Sequence, residues 1–158
     1  MHLEGLVLLQ EFDLFETKVK GAGLAHLQKL SQLQALDLSH TAVGDSGVAH
    51  LEAHTGLQKL SLSDTDITDA GLEHLVGLSR LQWLALADTR VTDQGLECLK
   101  ALMNFQTLDL TFTKVTDVGL AHLNGLTRLE KLDLTGTGVT DAAVEALQDA
   151  LPGLNPIR

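Results

Sequence analysis

Six consecutive copies of a 24-residue pattern begin at Leu9, Leu33, Leu57, Leu81, Phe105 and Leu129 and account for residues 9–152 of the 158-residue chain. Each reads roughly L-x-x-L-x-L-x-x-T-x-V-x-D-x-G-L-x-x-L-x-x-L. A unit this short buries too few apolar side chains to fold alone. A fixed period of this length therefore predicts a solenoid in which every copy is stabilised by its neighbours. The expected organisation is one domain over residues 1–158, with a partial unit at 1–8, six repeats over 9–152 and a partial strand at 153–158.

Within each copy the hydrophobic period changes once. Leu57-Gln58-Lys59-Leu60-Ser61-Leu62 alternates apolar and polar, as a half-buried strand does, whereas Leu72, Leu75 and Leu78 recur every three residues and suit a short helix. The predicted fold is α/β: a right-handed solenoid with a parallel sheet on its concave face and short helices on its convex face. The change of period falls at Asp45, Asp69, Asp93, Asp117 and Asp141, which are expected to cap the helices, because a carboxylate accepts the free N–H groups of a first turn. The first copy has Gly21 there, so its helix is expected to start less firmly. Thr17, Thr41, Thr65, Thr89, Thr113 and Thr137 share one position where the chain leaves the strand. Their hydroxyls are expected to satisfy buried backbone groups of the adjacent turn, not to act as nucleophiles, since no base accompanies them at fixed spacing.

Composition narrows the function. A net charge of −10 and a pI near 4.9 disfavour nucleic acid and anionic membranes as partners. No apolar run approaches the roughly 20 residues that span a bilayer, and Met1-His2-Leu3-Glu4-Gly5 has no basic start of a signal peptide. Cys98 is the single cysteine, which points to a reducing, intracellular and cytoplasmic setting. The sequence shows no phosphate loop, no Ser/His/Asp arrangement and no cysteine pair. The expectation is a chain with no catalytic residues, metal or cofactor, and no enzyme activity.

The pattern resembles the leucine-rich repeat family. Segments such as Ile67-Thr68-Asp69-Ala70-Gly71-Leu72 and Val91-Thr92-Asp93-Gln94-Gly95-Leu96 are similar to its ribonuclease-inhibitor-like subtype with (Ile/Val)-Thr-Asp-x-Gly-Leu repeats. The family usually has Asn or Cys where this chain has Thr, a departure expected to alter the hydrogen bonding of that column and not the fold. The resemblance implies a scaffold for protein–protein interaction, and it is specific for fold far more than for function. It leaves open a substrate-receptor fragment of a ubiquitin ligase, although no adaptor-binding helices precede the repeats. It also leaves open a GTPase-activating protein, for which Arg90 near the rim would be the residue offered to a nucleotide.

Subtracting the repeat leaves the residues that break it. Three columns face outward from the strands: Glu11, Ala35, Lys59, Trp83, Thr107 and Lys131; then Asp13, Asp37, Ser61, Ala85, Asp109 and Asp133; then Phe15, Ser39, Ser63, Ala87, Thr111 and Thr135. Glu16, His40, Asp64, Asp88, Phe112 and Gly136 flank them. Neighbouring acids in one column repel by roughly 1 kcal/mol per pair even in water, which a basic protein partner would relieve; a merely solvated acidic face is the other reading. Trp83, with small neighbours and Asp64 and Asp88 expected beside it, is the leading anchor. Asp109 and Asp133 are expected to steer the partner, and Phe15 and Phe112 to contact it or to cover the loop layer.

Two further columns have structural readings. His2, His26, His50, His74 and His122 share one helical position with Cys98, but a single-file row about 8–10 Å apart cannot converge on one ion. Gln10, Gln34, Gln58, Gln82 and Gln106 are expected to form a stacked amide row. His2-Leu3-x-x-Leu6 matches His26-Leu27-x-x-Leu30, so a partial helix is expected at the start, and Pro152 and Pro156 are expected to blunt the last strand.

Overall fold

The computed structural model describes residues 6–158, and the partial helix expected around His2 and Leu3 lies outside them. Seven three-residue strands follow one another: β1 (Glu11–Asp13), β2 (Ala35–Asp37), β3 (Lys59–Ser61), β4 (Trp83–Ala85), β5 (Thr107–Asp109), β6 (Lys131–Asp133) and β7 (Asn155–Ile157). They form one parallel sheet in chain order, with each residue paired to its counterpart 24 positions on, as Leu36↔Leu60 and Leu84↔Leu108 show. Short helical segments close each turn: a 3₁₀ segment Gly21–Lys29, then α1 (Asp45–Val48), α2 (Asp69–Glu73), α3 (Asp93–Leu99), α4 (Asp117–Leu120) and α5 (Asp141–Ala150).

The leucine columns fill the space between strands and helices. In the third repeat Leu57, Leu60, Leu62, Ile67, Leu72, Leu75 and Leu78 are all fully buried, and equivalent residues continue the same core from copy to copy. Burial of this kind supplies most of the favourable free energy of a solenoid, and it exists only because neighbours cover one another.

Polar groups are satisfied differently from the sequence expectation. The threonine hydroxyls bond within their own turn, Thr41 to Leu38 O at 2.6 Å and Thr89 to Leu86 O at 2.7 Å, and not to the adjacent one. Each therefore closes the tight turn three residues back. The glutamine column works through its backbone: Gln34 O accepts the N–H groups of both Gln58 (2.8 Å) and Lys59 (3.0 Å). No bond between Gln side chains occurs among the described residues.

The aspartates are not the caps. Thr68, Thr92, Thr116 and Thr140 hold the cap position, and each accepts an N–H of the first helical turn, as Thr68 Oγ1 does from Ala70 at 3.3 Å. Each aspartate sits one residue inside the helix and reaches into the following repeat. Asp69 Oδ1 accepts the N–H of Thr92 at 2.8 Å while its Oδ2 accepts the Thr92 hydroxyl at 2.6 Å. Asp45 with Thr68, Asp93 with Thr116 and Asp117 with Thr140 repeat the arrangement. At three of the four joints a glycine of the receiving repeat makes room: a Cβ on Gly71 would stand 2.5 Å from Asp45 Oδ1, and one on Gly95 would stand 2.5 Å from Asp69 Oδ1, with Gly119 placed likewise against Asp93, whereas the sixth repeat has Ala143. Thr, Gly and the preceding Asp thus form one device spread over two repeats. Beyond the last repeat, Asp141 pairs instead with Arg158.

The joint between the first and second repeats lacks this device. Gly21 replaces the aspartate, Gly44 replaces the threonine, and neither Lys20 nor Gly44 supplies a side-chain cap. The two backbones close in, so that a Cβ on Gly21 would lie 2.9 Å from Gly47 Cα. His54 crosses the joint in their stead. It occupies a column that is leucine at Leu30, Leu78, Leu102 and Leu126 and alanine at Ala150, is buried, and places Nε2 2.9 Å from Leu27 O.

Candidate partner-binding face

On the outward side of the sheet the residues of β1 to β4 enclose a groove of about 600 Å³. Trp83 forms one wall, Ala35 and Ser61 belong to the lining, and Glu11, Asp13, Asp37 and Lys59 bring the charge. The carboxylates around Trp83 are therefore not those expected from the sequence. Asp64 and Asp88 adopt left-handed backbone angles (φ 52° and 54°), as do Glu16, His40 and Phe112, and this turns them over the rim. There they line a second groove of about 600 Å³ with His40, Asp66, Arg90 and Phe112. Asp64 is paired with His40, and Arg90 donates to Asp66 at 2.7 Å.

Asp109 and Asp133 do face outward from adjacent strands, in register with each other. Each also holds its own chain: Asp109 Oδ1 accepts the N–H of Thr111 at 2.9 Å, and Asp133 Oδ1 accepts the N–H and hydroxyl of Thr135 at 3.0 and 2.7 Å. Partial burial pushes the Asp133 carboxyl up, but hydrogen bonds from Thr135 and Thr111 outweigh it and hold the group below its ordinary range.

The two rim phenylalanines are exposed, Phe15 at 48 % and Phe112 at 63 %. Phe15 meets the His40 ring edge-on, with centroids 5.1 Å apart. Phe112 lies over Gly136 in the next repeat, where a Cβ would collide with its ring. A phenylalanine with φ of 53° is a strained backbone choice, costing of order 1–3 kcal/mol. The turn of the repeat imposes it, since Glu16, His40, Asp64, Asp88 and Gly136 share the positive φ.

The histidine column contains no metal arrangement: among the described residues no group of three or more His, Cys, Asp or Glu is placed to hold an ion. His74 Nδ1 instead meets Glu52 at 2.6 Å. Burial raises the Cys98 thiol pKa, helped by Glu73, Glu97 and Asp69 and opposed by Lys100. Among the described residues no helix is long and apolar enough to cross a membrane.

An open parallel sheet of 24-residue turns, backed by short helices, defines a repeat solenoid whose exposed strand face carries the variable residues. A family profile, Leucine Rich repeat, matches residues 24–51, 54–76, 101–123 and 126–147, and the chain belongs to the leucine-rich repeat family. Proteins of this family generally act as protein–protein interaction scaffolds, typically without enzymatic activity. No curated protein sequence matches the chain. Among solved structures it is similar to internalin C2 of Listeria monocytogenes (26% identity, TM-score 0.76), with 98% of this chain and 64% of that one covered. A leucine-rich repeat protein of Leptospira interrogans shares the fold at 21% identity and a TM-score of 0.77, covering 99% of this chain and 38% of its own length. The chain thus spans less than two thirds of either relative.

Proposed function

We propose that the protein is a non-enzymatic recognition module of the ribonuclease-inhibitor-like subtype, folded as one domain over residues 1–158, that binds a partly basic protein partner across its strand face. The observation that carries this reading is the groove in which Trp83 stands with Glu11, Asp13 and Asp37. A large, half-buried aromatic in a groove where three carboxylates outnumber the single Lys59 suits a partner offering an apolar contact and a Lys or Arg together. Asp109 and Asp133 extend the negative field along the same face. Asp64, Asp88, Phe112 and Phe15 contribute from the rim, where a partner wide enough to overlap the edge would meet them. Rows of side chains fixed by stacked turns lose little freedom on docking, which favours affinity. The net charge of −10 speaks against a polyanionic partner such as nucleic acid and against an anionic membrane. The lone Cys98 fits an intracellular, cytoplasmic setting.

Capture experiments with wild-type and Trp83→Ala protein side by side test the reading. The substitution is expected to weaken the partner identified with wild type by about 2 kcal/mol or more, roughly 30-fold, measured by calorimetry. Unchanged affinity would remove the anchor. Association is expected to slow as salt rises, the signature of acidic steering.

A further inference from the structure

Four of the six repeats carry a carboxylate in the second outward column, and each uses it in one way. Asp13, Asp37, Asp109 and Asp133 accept, through Oδ1, the N–H two residues further on, at 2.8, 2.8, 2.9 and 3.0 Å. The third and fourth repeats have Ser61 and Ala85 instead. Ala85 has no acceptor to offer, and the Ser61 hydroxyl is engaged with Ser39 Oγ at 2.5 Å. The N–H groups of Ser63 and Ala87 consequently have no acceptor among the described residues, although both residues are only half-buried. They are neighbours one strand apart, about 4.8 Å, in the same repeats as Trp83 and its groove.

We propose that the main-chain N–H groups of Ser63 and Ala87 are the polar anchor of the partner, receiving carbonyl oxygens of an extended segment laid across the middle of the strand face. The proposal rests on the strand-face reading above and adds to it the group that the partner must present. The four sister repeats show, within this molecule, which atom fits such an N–H: an sp² oxygen approaching from the outward side at 2.8–3.0 Å. A neutral carbonyl suits the place better than a carboxylate. Asp37 and Asp109 stand on the strands to either side of Ser61 and Ala85, and Asp64 and Asp88 follow the two donors directly, so a second anion is repelled. Water satisfies the donors in the free protein, and its release on docking favours an acceptor held in place.

The test uses the chain's own solution to the problem. Ser61→Asn with Ala85→Asn supplies an uncharged side-chain oxygen to each free N–H, and Ser61→Asp with Ala85→Asp supplies the carboxylate of the sister repeats. A displayed library of random 12-residue peptides is selected on wild-type protein, and the winners are measured on all variants. Both substituted pairs are expected to lose affinity at least tenfold with the thermal midpoint undiminished. Retained affinity in the asparagine pair overturns the proposal, even if the aspartate pair loses it, because charge alone would then be at work. Amide exchange in wild type gives an answer that does not depend on the variants folding. Ser63 and Ala87 are expected to exchange at least tenfold faster than Ser39 and Thr111, and equal protection overturns the proposal. If Trp83→Ala abolishes binding while the asparagine pair does not, the strand-face reading survives without this anchor. A library that yields no binder to wild type removes both.

Discussion

The first joint of the solenoid and the four that follow it connect identical strands with different chemistry. From the second repeat onward, a carboxylate crosses to the next copy and takes two hydrogen bonds from one threonine; at the first three of these joints it lies in the space left by a glycine, and at the last Ala143 stands in the glycine position. At the first joint two glycines bring the backbones together and a buried histidine supplies the crossing bond. The strand ladder is the same on both sides, with Leu14 N bonded to Asp37 O and Leu38 N to Ser61 O at 2.9 and 3.0 Å. What differs is therefore the helix layer. The comparison teaches that the sheet sets the period while the Asp–Thr–Gly device sets how firmly consecutive helices are tied.

The largest expected effect is at a tied joint. Asp69→Ala leaves the N–H and hydroxyl of Thr92 without their acceptor and should cost roughly 2–3 kcal/mol in urea denaturation. Gly95→Ala should cost a similar amount, because its methyl group would press on Asp69 Oδ1. Combining the two should cost clearly less than their sum, since the methyl then fills the place of the missing carboxylate; strict additivity would separate the two residues energetically.

Transplanting the device to the first joint should fail. Gly21→Asp with Gly44→Thr forces a Cβ against the backbone of Gly47, and the double variant should be less stable than wild type by about 1–2 kcal/mol. A higher urea midpoint would mean that the two kinds of joint are interchangeable. His54→Leu should raise stability by about 1 kcal/mol at neutral pH. Leu27 O keeps a bond from Leu30 N at 2.8 Å, while the buried, partnerless Nδ1 disappears. A loss of stability would make the histidine bond the essential tie at that joint.

The smallest effect concerns the strand-face carboxylates. The Asp133 carboxyl titrates below its unfolded value, so its contribution is fully present above about pH 4 and is lost as pH falls through the folded value. Thr135→Val should move the Asp133 titration upward, followed by carboxyl NMR, and soften the acid limb of the stability curve. An unmoved titration would assign the depression to the Thr135 backbone N–H and the Thr111 hydroxyl.

The repeat, the strands and the parallel order were legible because period-2 alternation and three-residue leucine spacing are written directly in the chain. The partners of the polar columns were not. Asp69 and Thr68 are adjacent in sequence, which suggests a local cap, yet the carboxylate serves Thr92 in the following copy. Only a register in space reveals a bond between residues 23 apart. Asp64 and Asp88 were misplaced although the sequence held a signal. Asp is among the few side chains that tolerate a left-handed backbone, and Gly136 in the same column was the stronger signal that φ is positive there. His54 could have been found by noticing that it interrupts a leucine column.

The ties also determine how the molecule bears load. Pulled from its two ends, the solenoid transmits tension through its joints in series, and the weakest link governs the response. Each of the four later joints resists shear with a two-bonded carboxylate, while the first offers glycine contact and a single histidine bond. Extension should begin between residues 21 and 54 and then proceed repeat by repeat, so the chain is a spring whose softest coil is the first.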